Sequence, residues 1–214
     1  MTDTMNSIMI GMRSFPFFAV LFTLPIFLIP MIKDKKINFV KVGMQYGEIL
    51  YILCLTALVF FPLPTLAQAA TLSTHDYQIV PFHFVVDIIK ESPLRLNQPL
   101  TYVKAIGNRA VLQVIFNIIM TVPFGMFLTY HYGMDKKKVI FLSALLSLFI
   151  EITQLTGIYG IYNGSYRLCD VDDLMANTLG GYVGYCMIQK VSGILPQLDA
   201  FDIAIARRAQ RTTM

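Results

Sequence analysis

The stretch AVLQVIFNIIMTVPFGMFLTYHY, residues Ala110–Tyr132, contains no Asp, Glu, Lys or Arg. About 20 mostly apolar residues are enough for an α-helix to cross the hydrocarbon core of a bilayer. Comparable apolar runs lie before and after this stretch, and they predict further spanning helices. These runs are Phe15–Met31, Tyr46–Phe61 and Val139–Thr156, followed by a shorter, Gly-rich candidate at Leu174–Ile188.

The composition agrees with lipid as the main solvent. Of the 214 residues, 56% are hydrophobic and 14% are charged, whereas a soluble domain carries about 25% charged residues. The mean hydropathy is +0.61. The sequence therefore predicts an all-α, polytopic membrane bundle with about five spanning helices, organised as a single domain over residues 1–214.

The distribution of basic residues predicts the orientation, because Lys and Arg concentrate in short cytoplasmic loops. With five spans, most of the basic residues fall on one side. The N-terminus is then outside and the C-terminus cytoplasmic, with residues 191–214 forming a basic cytoplasmic tail. We interpret Phe15–Met31 as an uncleaved span, since its flanking charges do not fit a signal peptide. The residues placed on the cytoplasmic side are Lys33, Lys35, Lys36, Lys41, Lys136, Lys137, Lys138, Lys190, Arg207, Arg208 and Arg211.

Several classes of function are not favoured. The net charge of +4 comes from the basic residues on the predicted cytoplasmic side, where it suits contact with anionic lipid. We therefore expect no nucleic-acid partner. Cys54 and Cys186 fall within predicted spans and Cys169 outside them, so we expect no intramolecular disulfide. His75 and His83 lack the ligand spacing of a zinc site.

The segment Pro81–Lys90 mixes apolar residues with a few charges. This pattern predicts an amphipathic helix in the outer membrane interface. Such a helix would either pack on the bundle or cover a ligand.

Polar residues in and beside the spans predict a site at the outer membrane face. Glu151 lies within a span, where a carboxylate should face the bundle interior and is a functional-site hypothesis by default. Ser147 and Gln154 share its helical face. With the predicted topology, the whole polar set falls in the outer third of the membrane or just outside it. Its members are Asn117, Glu151, Gln154, Arg167, Asp170, Asp172, Asp173 and Asn177.

The spacing of these residues resembles the VanZ-like family. The resemblance covers about Tyr46–Ile188 and implies a small integral protein of the bacterial plasma membrane, linked to the cell envelope. The family takes its name from a protein that raises resistance to the glycopeptide teicoplanin, but the resemblance implies no particular reaction. The motifs that carry it are Asn117-x5-Pro123-Phe124-Gly125, Ser143, Ser147, Glu151-x2-Gln154 and Asp170-Val171-Asp172-Asp173-x3-Asn177-x2-Gly180-Gly181-x2-Gly184-Tyr185, with looser agreement at Phe61-Pro62 and Val80-Pro81-Phe82.

One interpretation of the polar set is purely structural. Asp172 or Asp173 would cap the fifth span, because carboxylates suit a helix N-terminus. Arg167 would pair with Glu151 or Asp170, and Asn177 would bridge helices by hydrogen bonds.

A second interpretation is binding. A pocket open to the outer leaflet would hold the headgroup of a membrane lipid or of a lipid-linked cell-wall precursor, or a glycopeptide. Arg167 would hold a phosphate, for which its fork of donors is suited. Asn117, Gln154 and Asn177 would bind sugar or peptide groups.

A third interpretation is enzymatic, with Glu151 and Asp173 as the catalytic candidates. Glu151 would act as a general acid or base on a lipid headgroup. Asp170, Asp172 and Asp173 would collect a divalent cation through oxygen ligands. The oligomeric state stays open, because Gly180-x3-Gly184 suits either helix packing inside the bundle or a dimer.

Overall fold

A computed structural model describes residues 2–33, 35–72, 74–91 and 107–204 of the chain. The chain divides into two compact units, the first formed by Met1–Phe61 with Ser192–Met214 and the second by Pro62–Val191. The organisation as a single domain stays a prediction. Residues 205–214 of the predicted cytoplasmic tail, including Arg207, Arg208 and Arg211, lie outside the described residues.

The described residues are mainly helical, joined by short connections and two-residue strands. A single helical turn lies at Gly157–Gly160 and a 3-10 turn at Leu198–Phe201. The helices are α1 (Thr2–Lys33), α2 (Phe39–Phe60), α3 (Leu66–Thr71), α4 (His83–Glu91), α5 (Arg109–Tyr130), α6 (Lys136–Leu155) and α7 (Val171–Val191). The strands are β1 (Lys36–Ile37), β2 (Tyr77–Gln78), β3 (Cys169–Asp170) and β4 (Ile203–Ala204).

Among the described residues, 4 helices are long and apolar enough to cross a membrane: Ile8–Lys33, Phe39–Phe60, Arg109–Tyr130 and Lys136–Leu155. Large apolar side chains such as Phe116 and Phe141 are exposed, whereas Ser143 and Ser147 are buried. This arrangement fits a lipid surround, and the prediction of an all-α membrane bundle is confirmed.

Helix α7 has 21 residues, which is enough to cross the hydrocarbon core. It is not among the 4 apolar candidates, because its sequence includes Asp172, Asp173, Asn177 and several glycines. The fifth span and the orientation of the bundle therefore stay predictions.

In the first unit, Asn38 connects the start of α2 to the C-terminal segment. Its Oδ1 accepts a hydrogen bond from Lys41 N at 2.9 Å and so caps α2. Its Nδ2 donates to Leu198 O at 2.6 Å and to Asp202 Oδ1 at 2.7 Å. Strands β1 and β4 pair antiparallel beside these bonds. One buried side chain thus fixes the C-terminal segment to the connection between α1 and α2.

In the second unit, glycines let α7 approach both of its neighbours. A Cβ added at Gly184 would lie 2.2 Å from Val122 O on α5, and one added at Gly181 would lie 1.9 Å from Ser143 Oγ on α6. Small residues permit this close packing of helices in lipid. Of the two uses that the sequence left open for Gly180-x3-Gly184, these contacts support packing inside the bundle.

The segment before α4 pairs with the segment before α7. Strands β2 and β3 are parallel, with Tyr77 opposite Cys169 and Gln78 opposite Asp170. The predicted amphipathic helix at Pro81–Lys90 is confirmed as α4, which packs against α5. Its place in the outer membrane interface stays a prediction.

Candidate functional site

A row of polar side chains on α6 faces α7. Ser143, Ser147 and Glu151 are spaced four residues apart, so they lie on one side of the helix, and all three are buried. Ser143 lies against Gly181, and Ser147 Oγ accepts a hydrogen bond from Asn177 Nδ2 at 3.0 Å. The predicted stripe of Ser147, Glu151 and Gln154 is buried, and its Ser147 bonds Asn177 on α7.

Glu151 lies at the end of this row and is only 4% exposed. Its Oε2 accepts a hydrogen bond from Asp170 N at 2.9 Å, and the Cys169 thiol also hydrogen-bonds the carboxylate. Burial raises the pKa of Cys169 to about 11, and the charge of Glu151 adds to this rise, so the thiol stays protonated and donates. Glu151 therefore faces the protein interior, and its partners come from the strand that precedes α7.

Asp170 and Asp172 both bind backbone N–H groups. Asp170 Oδ1 accepts from Asp172 N at 2.8 Å, which makes Asp170 the N-cap of α7. Burial raises the pKa of Asp170; the Asp172 N–H opposes this, while the charge of Asp172 adds to it. Asp172 instead accepts from Phe82 N at 2.6 Å and from Phe84 N at 2.9 Å. The capping role expected of Asp172 or Asp173 at α7 thus belongs to Asp170, because Asp172 holds the start of α4.

Asp173 faces α5. Its two oxygens lie 3.2 and 3.4 Å from Gln113 Nε2, and it also interacts electrostatically with Asn117. Across the described ranges, no group of three or more His, Cys, Asp or Glu side chains is arranged to hold a metal ion. Since Asp170, Asp172 and Asp173 each turn to a different protein partner, the described geometry gives the three-carboxylate cation hypothesis no support.

One amide on α7 retains an unused hydrogen-bonding atom. Asn177 Oδ1 is buried and has no hydrogen-bond partner among the described residues, and Ser143 Oγ is in the same state. The Thr121 hydroxyl lies between α5 and α7, 3.0 Å from the backbone O of Asn117 and 2.8 Å from the backbone O of Asn177. Leaving a buried polar atom unsatisfied costs about 1–3 kcal/mol, so such atoms indicate capacity for a ligand or an ordered water.

Gln154 is buried on α6 one turn after Glu151, and Arg167 is half-buried in the connection before β3. Gln113, Thr121 and Cys169 were not among the candidate residues predicted from the sequence. Gln113 lies four residues before Asn117 and Thr121 four residues after it, so helical spacing could have identified both. No spacing rule identifies Cys169, because its contact with Glu151 depends on the path of the loop.

The comparisons with known proteins support the family resemblance found in the sequence. A sequence model of the family described as VanZ/LLP1 matches residues 48–192, close to the Tyr46–Ile188 range of the resemblance. No curated protein and no solved structure matches the chain. The family match covers more than half of the chain and includes every residue of the polar set. The chain therefore belongs to the VanZ/LLP1 family.

Proposed function

We propose that this membrane protein lies in the bacterial plasma membrane and binds the headgroup of an envelope amphiphile at the polar set of its second unit. The observation that supports binding is the unused hydrogen-bonding capacity of Asn177 Oδ1. Asn177 is only 2% exposed, so bulk water does not compensate its carbonyl oxygen. A ligand group that donates a hydrogen bond would satisfy this oxygen.

The charges of the site define the class of headgroup. Glu151, Asp170, Asp172 and Asp173 are acidic, so a bare anion is disfavoured. Sugar hydroxyls and peptide amides carry the hydrogen-bond donors that Asn177 Oδ1 requires. Arg167 contributes a planar fork of donors that suits a phosphate. A lipid-linked cell-wall precursor combines all of these groups, and it is the ligand that we propose.

In this proposal Glu151 positions the site and does not react. Its carboxylate is held by Asp170 N and by the Cys169 thiol. Arg167 lies on the loop before these two residues, and the bonds attach the end of that loop to the side of α6. A link to teicoplanin resistance would then arise from competition for, or sequestration of, the same envelope precursor.

The binding test measures which lipids remain bound to the full chain. The protein is purified from bacterial membranes in a mild detergent, and its bound lipids are identified by native mass spectrometry. We expect the Asn177→Ala and Arg167→Gln variants to lose the precursor that the unmodified chain retains. Thr178→Ala is the matched control, because Thr178 lies on the same helix and, within the described part of the chain, its hydroxyl bonds Leu174 O of that helix alone. Equal retention by all four proteins would refute the proposal.

The cellular test separates function from folding. Cells that express the chain, Glu151→Gln or Asp173→Asn at equal levels are compared for teicoplanin sensitivity and lipid profile. If the polar set binds an envelope ligand, the variants insert normally but lose the effect of the unmodified chain. An unchanged effect would mean that the set serves only to hold the helices together.

A further inference from the structure

The first unit contains a polar cavity of about 500 Å³ where α1 ends and α2 begins. The C-terminal segment closes one side of it, since Asn38 holds Leu198 and Asp202 there. This is the end of the unit that the basic residues predict to be cytoplasmic. The lining residues are Ile26, Phe27, Pro30, Lys36, Ile37, Asn38, Lys41, Val42, Gln45, Asp199 and Asp202.

An apolar groove of about 480 Å³ adjoins this cavity between α1 and α2. Ile26 and Gln45 line both spaces, so the groove continues from the polar cavity along the two helices. The remaining lining residues of the groove are Phe18, Phe22, Pro25, Ile29, Glu48, Ile49, Ile52 and Leu53.

The combined length matches one leaflet of a bilayer. From Lys41 in the cavity to Leu53 in the groove, α2 rises about 18 Å at 1.5 Å per residue. Half of a hydrocarbon core of about 30 Å is about 15 Å. A polar cavity that leads into an apolar groove of this length matches the shape of one phospholipid, whose headgroup would lie in the cavity and an acyl chain in the groove.

The charges of the cavity are paired, and the pairing defines the headgroup. Lys36 Nζ lies 3.4 Å from Asp202 Oδ2, and Lys41 Nζ lies 2.5 Å from Asp199 Oδ1 and 3.7 Å from Asp202 Oδ1. Two ammonium groups thus face two carboxylates, and Glu48 adds a further carboxylate in the groove. A headgroup that carries a phosphate and an ammonium group can pair with both the lysines and the carboxylates. An anionic headgroup would instead meet at least as many carboxylates as ammonium groups.

We propose that the first unit holds one zwitterionic phospholipid of the aminoethyl phosphate type. Lys36 and Lys41 bind its phosphate, Asp199 and Asp202 bind its ammonium group, and one acyl chain fills the groove. This site is independent of the polar set of the second unit. A free metabolite would leave the groove empty, which is why a membrane lipid is the occupant.

The absence of Trp from the chain permits a direct test. A single Trp introduced as Phe22→Trp lines the groove, where Phe22 is 43% exposed. Leu21→Trp is the matched control, because Leu21 is 55% exposed, does not line the groove and differs in depth by about 1.5 Å. Each protein is reconstituted into nanodiscs of phosphatidylethanolamine and phosphatidylglycerol, with either lipid brominated on its acyl chains.

At the groove position, we expect brominated phosphatidylethanolamine to quench Trp fluorescence more than its mole fraction predicts. At the control position, quenching should follow the mole fraction for both lipids. Equal quenching at the two positions would overturn the proposal, since the groove would then be ordinary lipid-facing surface. Excess quenching by phosphatidylglycerol in the chain with native charges would overturn the headgroup assignment.

Charge variants test the headgroup in the Phe22→Trp background. Lys41→Gln should lower the relative association constant of phosphatidylethanolamine about fivefold, the usual scale for one Lys near a membrane surface. Asp199→Asn should shift the preference towards phosphatidylglycerol, because it leaves a surplus of positive charge in the cavity. If neither variant changes the ratio of the two lipids, the cavity does not select the headgroup. Circular dichroism and native mass spectrometry on the same samples establish that each variant is folded and how many lipids it retains.

Discussion

Replacing Gly184 by Ala tests whether the contact between the backbones of α5 and α7 holds the second unit together. The added Cβ would lie 2.2 Å from Val122 O and 2.9 Å from Met126 N, while ordinary contact begins at 3.4 Å. The helices must therefore separate locally by about 1.2 Å, since neither neighbour is a side chain that can rotate away. Overpacking costs about 1–3 kcal/mol, and we take the upper end because both clashing neighbours are backbone atoms. The gain in helix propensity from Gly to Ala offsets about 1 kcal/mol of this cost, so we expect a net loss of about 2 kcal/mol in the free energy of unfolding.

A neighbouring glycine offers a variant that can be rescued. A Cβ at Gly181 would clash with the Ser143 side chain, 1.9 Å from Oγ and 2.6 Å from Cβ, whereas Ser143 Cα is 4.0 Å away. Gly181→Ala should therefore be destabilising alone and largely restored by adding Ser143→Gly. No such rescue exists for Gly184→Ala. Gly43→Ala is the control, because no atom lies within 4 Å of its added Cβ, and we expect it to be neutral or slightly stabilising.

The assay is the midpoint of thermal denaturation in a mild detergent, followed by the fraction of monodisperse protein on size exclusion. For a chain of this size, 1 kcal/mol shifts Tm by about 2–4 °C, so Gly184→Ala should lower it by about 4–8 °C. A Tm equal to or above that of the unmodified chain would refute the close approach of α5 and α7. Failure of Ser143→Gly to rescue Gly181→Ala would refute the contact between α6 and α7.

Three further predictions concern single side chains. Asp172→Ala should release the start of α4, because Phe82 N and Phe84 N lose their common acceptor and each hydrogen bond to a charged group contributes about 1.5–3 kcal/mol. Limited proteolysis should then cleave the chain faster between residues 74 and 84. An unchanged rate of cleavage would contradict this prediction. Burial raises the pKa of Asp170, so ionisation of this carboxyl group opposes folding. The free energy of unfolding should therefore fall as the pH rises above the ordinary Asp pKa of about 3.9. Asp170→Asn keeps a good N-cap and should remove that part of the slope of Tm against pH; identical slopes would argue against it. Asn38→Ala should detach the C-terminal segment and lower stability by about 1–3 kcal/mol, which cross-linking between residues 37 and 203 would report as a reduced yield.

The spans could be predicted because hydropathy depends on composition alone. Their ends could not, since polar residues continue a helix without contributing to its apolar core. The segment predicted as Phe15–Met31 is part of a helix that runs from Thr2 to Lys33. The run that begins at Val139 belongs to a helix that starts at Lys136, where Asp135 caps it by accepting from Lys138 N. In both cases hydrogen bonding by the backbone, and not hydrophobicity, decides the boundary.

The burial and the helical face of part of the polar set could be predicted, but its pairing could not. Helical spacing correctly placed Ser147 and Glu151 on one face, and a buried carboxylate was correctly expected to have a partner. The partner of Glu151 is a backbone N–H and a thiol, and the partner of Asp172 is the start of α4. Such contacts depend on loop conformation, including the positive φ of 63° at Phe82, which no periodic pattern in the sequence encodes.

The pairing of the segment before α4 with the segment before α7 has a consequence for biosynthesis. Asp172 accepts from Phe82 N across a separation of 90 residues. At about 5–20 residues per second, the ribosome adds Asp172 roughly 5–18 s after it adds Phe82. During that interval Ile79, Val80 and Phe82, which stay exposed even in the folded chain, have no strand or carboxylate to hold them. The folding of this segment is therefore timed by the synthesis of α7, and a stall in translation before residue 172 would prolong its exposure to proteases.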